Sequence, residues 1–174
     1  LRLFADLQYR YVSYQAWGVN DNYVSEEVGM QPIDVDKQYH FFNPRAGVSY
    51  TLAERNNFYL SFAVAQKEPT RSDFTDRYKF AADDTYPSSE KLYDWELGYQ
   101  YTAPRLSLGV NLYYMKYKDQ LVPTGMVNDD SNALNTNVPD SYRRGVELSA
   151  SWRATGWFTV GANATFSQNR IENY

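Results

Sequence analysis

The chain has 174 residues, 17 of them tyrosine and none cysteine, and a formal net charge of −4 at pH 7. The missing cysteines exclude a disulfide framework, a thiolate metal site and a thiol nucleophile. The acidic balance and the absence of a basic stripe predict no nucleic-acid partner.

The first two predicted strands flank a long polar segment. Residues 1–14 alternate between apolar and polar side chains, which predicts a half-buried strand. Residues 15–37 are rich in turn formers, so we expect an outer loop there. Alternation returns over residues 38–52, although Pro44 should then lie at a bulge or near a strand end because it cannot donate to a ladder.

The next stretch repeats this arrangement with a shorter link. Residues 53–57 predict a tight turn, and residues 58–67 predict a third strand with unbroken alternation. Residues 68–90 contain prolines and acidic patches, which predicts a second long loop.

The clearest signal is an amphipathic hairpin over residues 91–117. Its arms, residues 91–101 and 106–117, are joined by a turn at residues 102–105. Both arms exceed the ~5 to 6 residues of a typical soluble strand and match the ~9 to 11 residues of a tilted membrane-crossing strand. The hairpin therefore favours a membrane β-barrel over a soluble sandwich.

The last third predicts one more long loop and two more strands. Turn formers dominate residues 118–140, and alternating strands follow at residues 141–152 and 157–169, with a turn at residues 153–156 between them. Short and long links alternate throughout, and aromatic residues lie near both ends of the apolar faces. The predicted fold is all-β: an antiparallel transmembrane β-barrel segment of about seven meander strands, with short periplasmic turns and long extracellular loops.

Four stretches in order along the chain resemble one family, the TonB-dependent outer-membrane receptors of Gram-negative bacteria. They are FYLSFAVAQKEPTRSDF (58–74), PSSEKLYDWELGYQY (87–101), YYMKYKDQLV (113–122) and NVPDSYRRGVELSASW (137–152). The first is similar to the family's Glu-Pro-x-x-x-x-Phe loop start, and the second to its Tyr-x-x-Glu-x-Gly strand. The fourth is similar to the family's Asn-x-x-x-Ser-x-Arg-Gly-x-Glu pattern.

The resemblance implies that residues 1–174 are a partial barrel domain from the later part of a barrel of roughly 22 strands with a plugged lumen. Such a receptor takes up a scarce ligand, which is a ferric siderophore or other metal chelate, haem, cobalamin or a glycan, with energy from the TonB complex. The implied location is the outer membrane. The implied partners are outer-membrane lipid, a plug domain and the remaining strands, the TonB complex through an N-terminal part that this sequence lacks, and a small-molecule ligand. No cofactor is implied.

The alternation places a set of charged side chains on the lumenal face. We expect them to form ion pairs that line the barrel wall and face the plug, and some of them could instead contact ligand in passage. These wall residues are Arg10, Arg45, Asp94, Glu96, Arg143 and Glu147, together with Asp6 and Lys67.

Cationic and aromatic side chains in the predicted loops are the candidates for ligand binding. Guanidinium groups and aromatic rings suit an anionic or aromatic chelate, although a solvated loop has the same composition. The candidates are Arg71, Arg77, Tyr78 and Lys79 in the second loop, with Trp17 and Tyr23 in the first. The single histidine, His40, is expected to be a hydrogen-bonding residue rather than a metal ligand. No catalytic cluster and no metal-ligand cluster is predicted.

Three other interpretations stay open at this point. A passive porin-like or other outer-membrane barrel would share the same strands. An outer-membrane enzyme would need an acid, base or nucleophile cluster at the loop rim, and we predict that the protein is not an enzyme. A soluble β-sheet protein that binds glycans through exposed aromatic residues would be water-soluble without detergent.

Overall fold

Seven antiparallel strands form a single sheet in sequence order, as predicted. The computed structural model describes residues 1–26, 29–75, 86–127, 131 and 133–172, of which residues 20–25 and 31 are described as backbone only. The elements are β1 (Arg2–Ser25), β2 (Gly29–Leu52), β3 (Asn56–Lys67), α1 (Arg71–Thr75), β4 (Glu90–Ala103), β5 (Leu106–Val127), β6 (Ala133–Arg153) and β7 (Thr159–Ile171).

The strand register puts the apolar positions of all seven strands on one face. This face, called the outer face below, stays exposed even in the middle of the sheet, where Leu60 is 51% and Leu97 is 50% accessible. Such a contiguous exposed apolar surface suits lipid rather than water. The opposite, polar face is called the inner face. One outer-face row runs Leu3, Val48, Leu60, Leu97, Leu112, Val146 and Phe166.

Two of the three predicted long loops are strands instead. Residues 15–37 belong almost entirely to β1 and β2, which are 24 residues each. Residues 118–140 likewise continue β5 and β6. The prediction was wrong because it equated polar residues and turn formers with loops. Beyond the membrane both faces of a hairpin meet water, so polar side chains on both faces are compatible with a paired ladder.

These extensions form two hairpin arms beyond the seven-stranded wall. β2 pairs with β3 only from Arg45 onward, and β5 pairs with β4 only up to Lys118. We call residues 7–25 and 29–44 the first arm, and residues 119–127 and 133–139 the second arm. Each arm is therefore a two-stranded ribbon that rises from a wider sheet.

Pro44 lies inside β2 and not at a bulge or a strand end. It pairs in regular register with Leu7, whereas the pairing of β2 with β3 begins only at the next residue, Arg45. On the β3 side the missing N–H therefore removes no ladder hydrogen bond. Pro44 is therefore acceptable at the point where the first arm leaves the wall, although the sequence pattern predicts a bulge or a strand end there.

The short turns match the prediction to within a few residues. The β2–β3 turn places Ala53 and Glu54 at φ 50° and 58°, a left-handed conformation seldom occupied by residues other than glycine and asparagine. The last turn is longer than expected, since β7 begins at Thr159. Trp157 therefore lies in that turn.

The middle connection is the one with a helical turn, α1. We call its described residues, 68–75 and 86–89, the loop segment. In the described ranges, no helix is long and apolar enough to cross a membrane. The most buried apolar side chains lie on the loop segment and the arms rather than in the wall, and they include Phe74, Val35, Phe41, Leu134 and Val138.

Candidate functional site

One polar row crosses the entire inner face. It runs Asp6, Arg45, Ala63, Asp94, Met115, Arg143 and Asn169. Four of the predicted wall residues therefore lie at one level: Asp6, Arg45, Asp94 and Arg143. The neighbouring rows toward the short turns carry Glu96 and then Glu147.

The charges of this inner wall are mostly separated rather than paired. Arg45 lies 3.9 Å from Asp6, and both side chains are largely exposed, so the attraction between them is weak. Ala63 and Met115 lie between the charged positions of the row and keep Arg45, Asp94 and Arg143 apart. Within the described residues the expected lattice of ion pairs is thus limited on the wall itself to one weak contact.

Two wall residues have partners other than opposite charges. The guanidinium of Arg143 lies over the Tyr117 ring, 5.4 Å from its centroid. Glu147 accepts a hydrogen bond from Asn111 at 3.3 Å. Glu147 also lines a shallow cavity of about 390 Å³ on the inner face with Tyr59, Asn111 and Thr165. Its carboxylate, amide and hydroxyl groups can accept or donate hydrogen bonds to whatever fills the lumen.

Aromatic side chains occupy the space next to glycines at three places on the inner face. A Cβ atom at Gly98 would collide with the ring of Tyr59, and one at Gly47 would collide with the ring of Phe4. A Cβ atom at Gly145 would lie only 2.6 Å from the Tyr113 hydroxyl oxygen. Each pair is a direct cross-strand partnership: Phe4 with Gly47, Tyr59 with Gly98, and Tyr113 with Gly145.

Arg10 anchors the loop segment to the inner side of β1. Its guanidinium donates to both carboxylate oxygens of Glu68, at 3.1 Å and 2.5 Å, and to the carbonyl of Gln66 at 3.3 Å. The same group lies 4.8 Å from the centroid of the Phe41 ring. Partial burial raises the pKa of Glu68, but hydrogen bonds and charge from Arg10 outweigh it, so the pKa is lowered overall. Glu68 is therefore held ionised.

An aromatic stack fixes α1 against the first arm. Phe74 is 1% exposed and stacks on the Tyr14 ring at 5.0 Å, with Tyr86 edge-on at 5.7 Å. Thr70 donates its backbone N–H to Asp73 at 2.7 Å, the capping-box contact that starts the helical turn. The Tyr86 hydroxyl donates to the carbonyl of Asp34 at 2.6 Å.

Polar contacts join the same segment to the second arm. Asn135 donates to Asp73 at 2.7 Å. Asn137 accepts from the backbone N–H of Ser88 at 2.8 Å and donates to the carbonyl of Ser88 at 3.1 Å. The loop segment therefore connects the two arms across the inner side of the sheet.

Two of the predicted ligand-binding residues, Arg71 and Trp17, have described side chains, and these lie on opposite sides of the first arm. Arg71 is exposed on α1, on the inner side of the first arm. Trp17 is 81% exposed and, by register, lies on the other face of that arm, in phase with Tyr9 and Tyr11. Tyr23 is described only as backbone, paired with Met30. Arg77, Tyr78 and Lys79 lie outside the described residues.

Sequence reasoning missed the residues that hold this region together, chiefly Phe74, Tyr86, Asn135 and Asn137. A local signal existed for α1, because Thr70-Arg71-Ser72-Asp73 has capping-box spacing. The long-range partners had no such signal. His40 is confirmed as a hydrogen-bonding residue, with its Nδ1 2.8 Å from the Tyr9 hydroxyl.

The sheet is an antiparallel meander with an exposed apolar face, a polar inner face and long hairpins at one edge. These features define its class, the wall of an outer-membrane β-barrel. The family model for the TonB dependent receptor-like β-barrel matches residues 1–174. The chain belongs to this family, as the four sequence stretches predicted. No curated protein matches the chain.

Solved structures share the fold at low sequence identity. The copper transporter OprC superposes with a TM-score of 0.75 at 17% identity, covering 98% of this chain and 27% of its own. The ferric-catecholate import receptor Fiu of Escherichia coli K12 gives 0.66 at 20%, covering 98% and 26%. The FrpB iron transporter of Neisseria meningitidis (F3-3 variant) gives 0.65 at 21%, covering 97% and 23%. The chain thus spans about a quarter of each of these proteins.

Proposed function

We propose that this chain supplies barrel strands and extracellular arms to an outer-membrane receptor that imports a metal chelate, a ferric siderophore first among them, with energy from the TonB complex. The family match over residues 1–174 carries the proposal. The receptor would be located in the outer membrane of a Gram-negative bacterium, with a plug domain and further strands as partners. No residue is assigned a catalytic role.

The geometry supports separate roles for the outer face, the inner face and the arms. The outer face suits lipid, and the inner face offers separated charges and amides to a plug or a passing ligand. The arms and the loop segment lie beyond the wall, where a ligand arriving from outside would first make contact. Three fold neighbours transport copper, iron or a ferric catecholate according to their names, which makes a metal chelate the first class to test.

Uptake of radiolabelled ferric siderophores tests the proposal. Cells that carry the complete receptor should accumulate label from at least one chelate of a panel, and deletion of its gene should abolish that uptake. Removal of a working TonB complex should abolish it equally. Uptake that persists without TonB, together with entry of unrelated small solutes, would point to a passive porin-like barrel and overturn the proposal.

A further inference from the structure

The outer face changes character at one level of the sheet between β5 and β7. The row of Leu112, Val146 and Phe166 is apolar. The next outer-face row toward the arms contains Arg144. The row after that places Tyr142 between Lys116 and Arg170. Three cations therefore surround one tyrosine ring at the border of the apolar surface.

Contacts hold two of these side chains in place. The Nε of Arg144 donates to the side-chain oxygen of Gln168 at 2.9 Å, and its guanidinium lies 5.5 Å from the centroid of the Tyr142 ring. Tyr142 in turn stacks on Tyr114, with ring centroids 6.1 Å apart. Contacts with Gln168 and Tyr114 thus fix the positions of Arg144 and Tyr142 on the outer face.

Within the part of the chain that the structure describes, only Lys116 of these three cations has an acidic partner. Among the described residues, neither Arg144 nor Arg170 has a carboxylate oxygen within 4.0 Å. Lys116 lies 3.6 Å from Asp140, but Lys118 binds that carboxylate more closely. A further acid on this side is Glu172, whose backbone N–H donates to the carbonyl of Asp140, one row further from the membrane.

In the row of Arg144, positive charge is confined to one part of the wall. The row of Arg144 continues across the sheet through Trp95, Phe62 and Ala46, none of which is charged. If every strand required a cation at this level, β2 and β3 would carry one as well. The cluster on β5 to β7 therefore requires a local explanation.

We propose that Lys116, Arg144 and Arg170, arranged around Tyr142, form a binding site on the membrane-facing wall for the phosphate of an anionic lipid headgroup. Lipid headgroups lie where the apolar band ends, which is also where tyrosine rings settle. Guanidinium groups bind phosphate oxygens in pairs, and cations near an anionic membrane surface are each attracted to it. The site faces away from the lumen, so a soluble ligand on its way through the barrel would not meet it.

Native mass spectrometry of the complete receptor tests this site, with dioleoyl-phosphatidylglycerol as the anionic lipid and dioleoyl-phosphatidylcholine as the zwitterionic one. The wild-type protein should retain phosphatidylglycerol in preference. The variant K116Q/R144Q/R170Q should lose that preference by about tenfold or more, since each interfacial cation is attracted to the anionic headgroup. The variant R2Q/R45Q/R143Q removes the same charge from the inner face and should bind phosphatidylglycerol like the wild type.

Single variants give a second comparison if a triple variant does not assemble. Arg143 and Arg144 are adjacent and lie on opposite faces, so Arg144→Gln should weaken phosphatidylglycerol binding while Arg143→Gln should not. Equal retention of phosphatidylglycerol by the Arg144 variant and the wild type would overturn the site, as would equal losses in both single variants. Displacement of the lipid by equimolar inorganic phosphate would identify a site for soluble anions and overturn the lipid assignment.

Discussion

Arg10 and Glu68 are 58 positions apart in the sequence, yet the guanidinium of Arg10 donates to both carboxylate oxygens of Glu68. The pair connects the first strand to the start of the only described connection that leaves the sheet. The ion pair therefore fixes the first residue of the loop segment against the inner side of the barrel wall.

Acid should loosen the loop segment. The pKa of Glu68 is lowered from 4.5 in the folded protein because burial, which raises it, is outweighed by the hydrogen bonds and charge of Arg10, a backbone hydrogen bond and the charge of Lys67. The stabilisation is thus present above about pH 4.5 and is lost as the pH falls through the folded-state value. Hydrogen-exchange protection of residues 69–75, corrected for intrinsic rates, should decrease in that range. Glu68→Gln should lower protection at pH 7 by roughly fivefold, about 1 kcal/mol for a partly exposed pair, and should remove the pH step.

Glu54→Gln provides a matched control for that measurement, since Glu54 lies in an exposed short turn at the opposite edge. It should leave the protection of residues 69–75 unchanged. Identical pH profiles for the wild type and the Glu68 variant would show that the ion pair does not anchor the segment.

Phe74→Ala should release α1 from the first arm. The ring is buried against Tyr14 and Tyr86, and truncation of a buried phenylalanine costs about 3 to 5 kcal/mol. Amide exchange across residues 70–75 should rise at least a hundredfold, while exchange in β4 and β7 stays as it was. Trp17→Ala, at an exposed ring on the other face of the arm, should leave exchange in α1 unaltered. Retained protection in the Phe74 variant would contradict the packing described for the stack.

Gly98→Ala should destabilise the wall through the ring of Tyr59. A new Cβ would overlap that ring, and such overpacking typically costs about 1 to 3 kcal/mol. Urea unfolding of the complete receptor in lipid bilayers would measure the loss. Gly161→Ala should be nearly neutral, since the nearest atom to its new Cβ is 3.7 Å away. The double variant Tyr59→Ala/Gly98→Ala should lose less than the sum of its single variants, and strict additivity would argue against the ring-over-glycine contact.

Adjacent positions of β5 should respond oppositely to arginine. Val110 lies on the outer face in the middle of the apolar rows, whereas Asn111 lies on the inner face beside Glu147. Val110→Arg should cost about 2 to 4 kcal/mol in folding into bilayers, and Asn111→Arg should be tolerated because it meets a carboxylate. The fraction folded after dilution into lipid vesicles would measure both, and similar losses would mean that the faces are assigned wrongly.

The wall could be predicted from the sequence because its signal is local. Strict alternation over residues 91–117 fixes both the strands and their faces, and the outer-face row from Leu3 to Phe166 follows from the same period of two. The ends of the strands could not be predicted in this way. In the arms the apolar-polar contrast disappears, although the hydrogen-bonded ladder continues from Tyr14 to Gly18 and beyond.

The site was harder to predict because its contacts join distant parts of the chain. Glu68, Pro69 and Phe74 stand at the fixed positions of a motif seen in the sequence, yet nothing local shows that Glu68 binds Arg10 or that Phe74 stacks on Tyr14. The alternation shows which face Arg45 and Arg143 occupy. It does not show how far they lie from the charges of other strands, because that distance depends on Ala63 and Met115 in the neighbouring strands.

The fork at Arg45 has a consequence for how such receptors can diversify. Each arm is paired only with itself, so insertion of two residues in each of its strands adds rungs at the tip and shifts no register in the wall. The side-chain phase below the fork is preserved, and with it the lipid-facing surface. Arm length can therefore vary between relatives in even steps without any compensating change in the membrane part of the barrel.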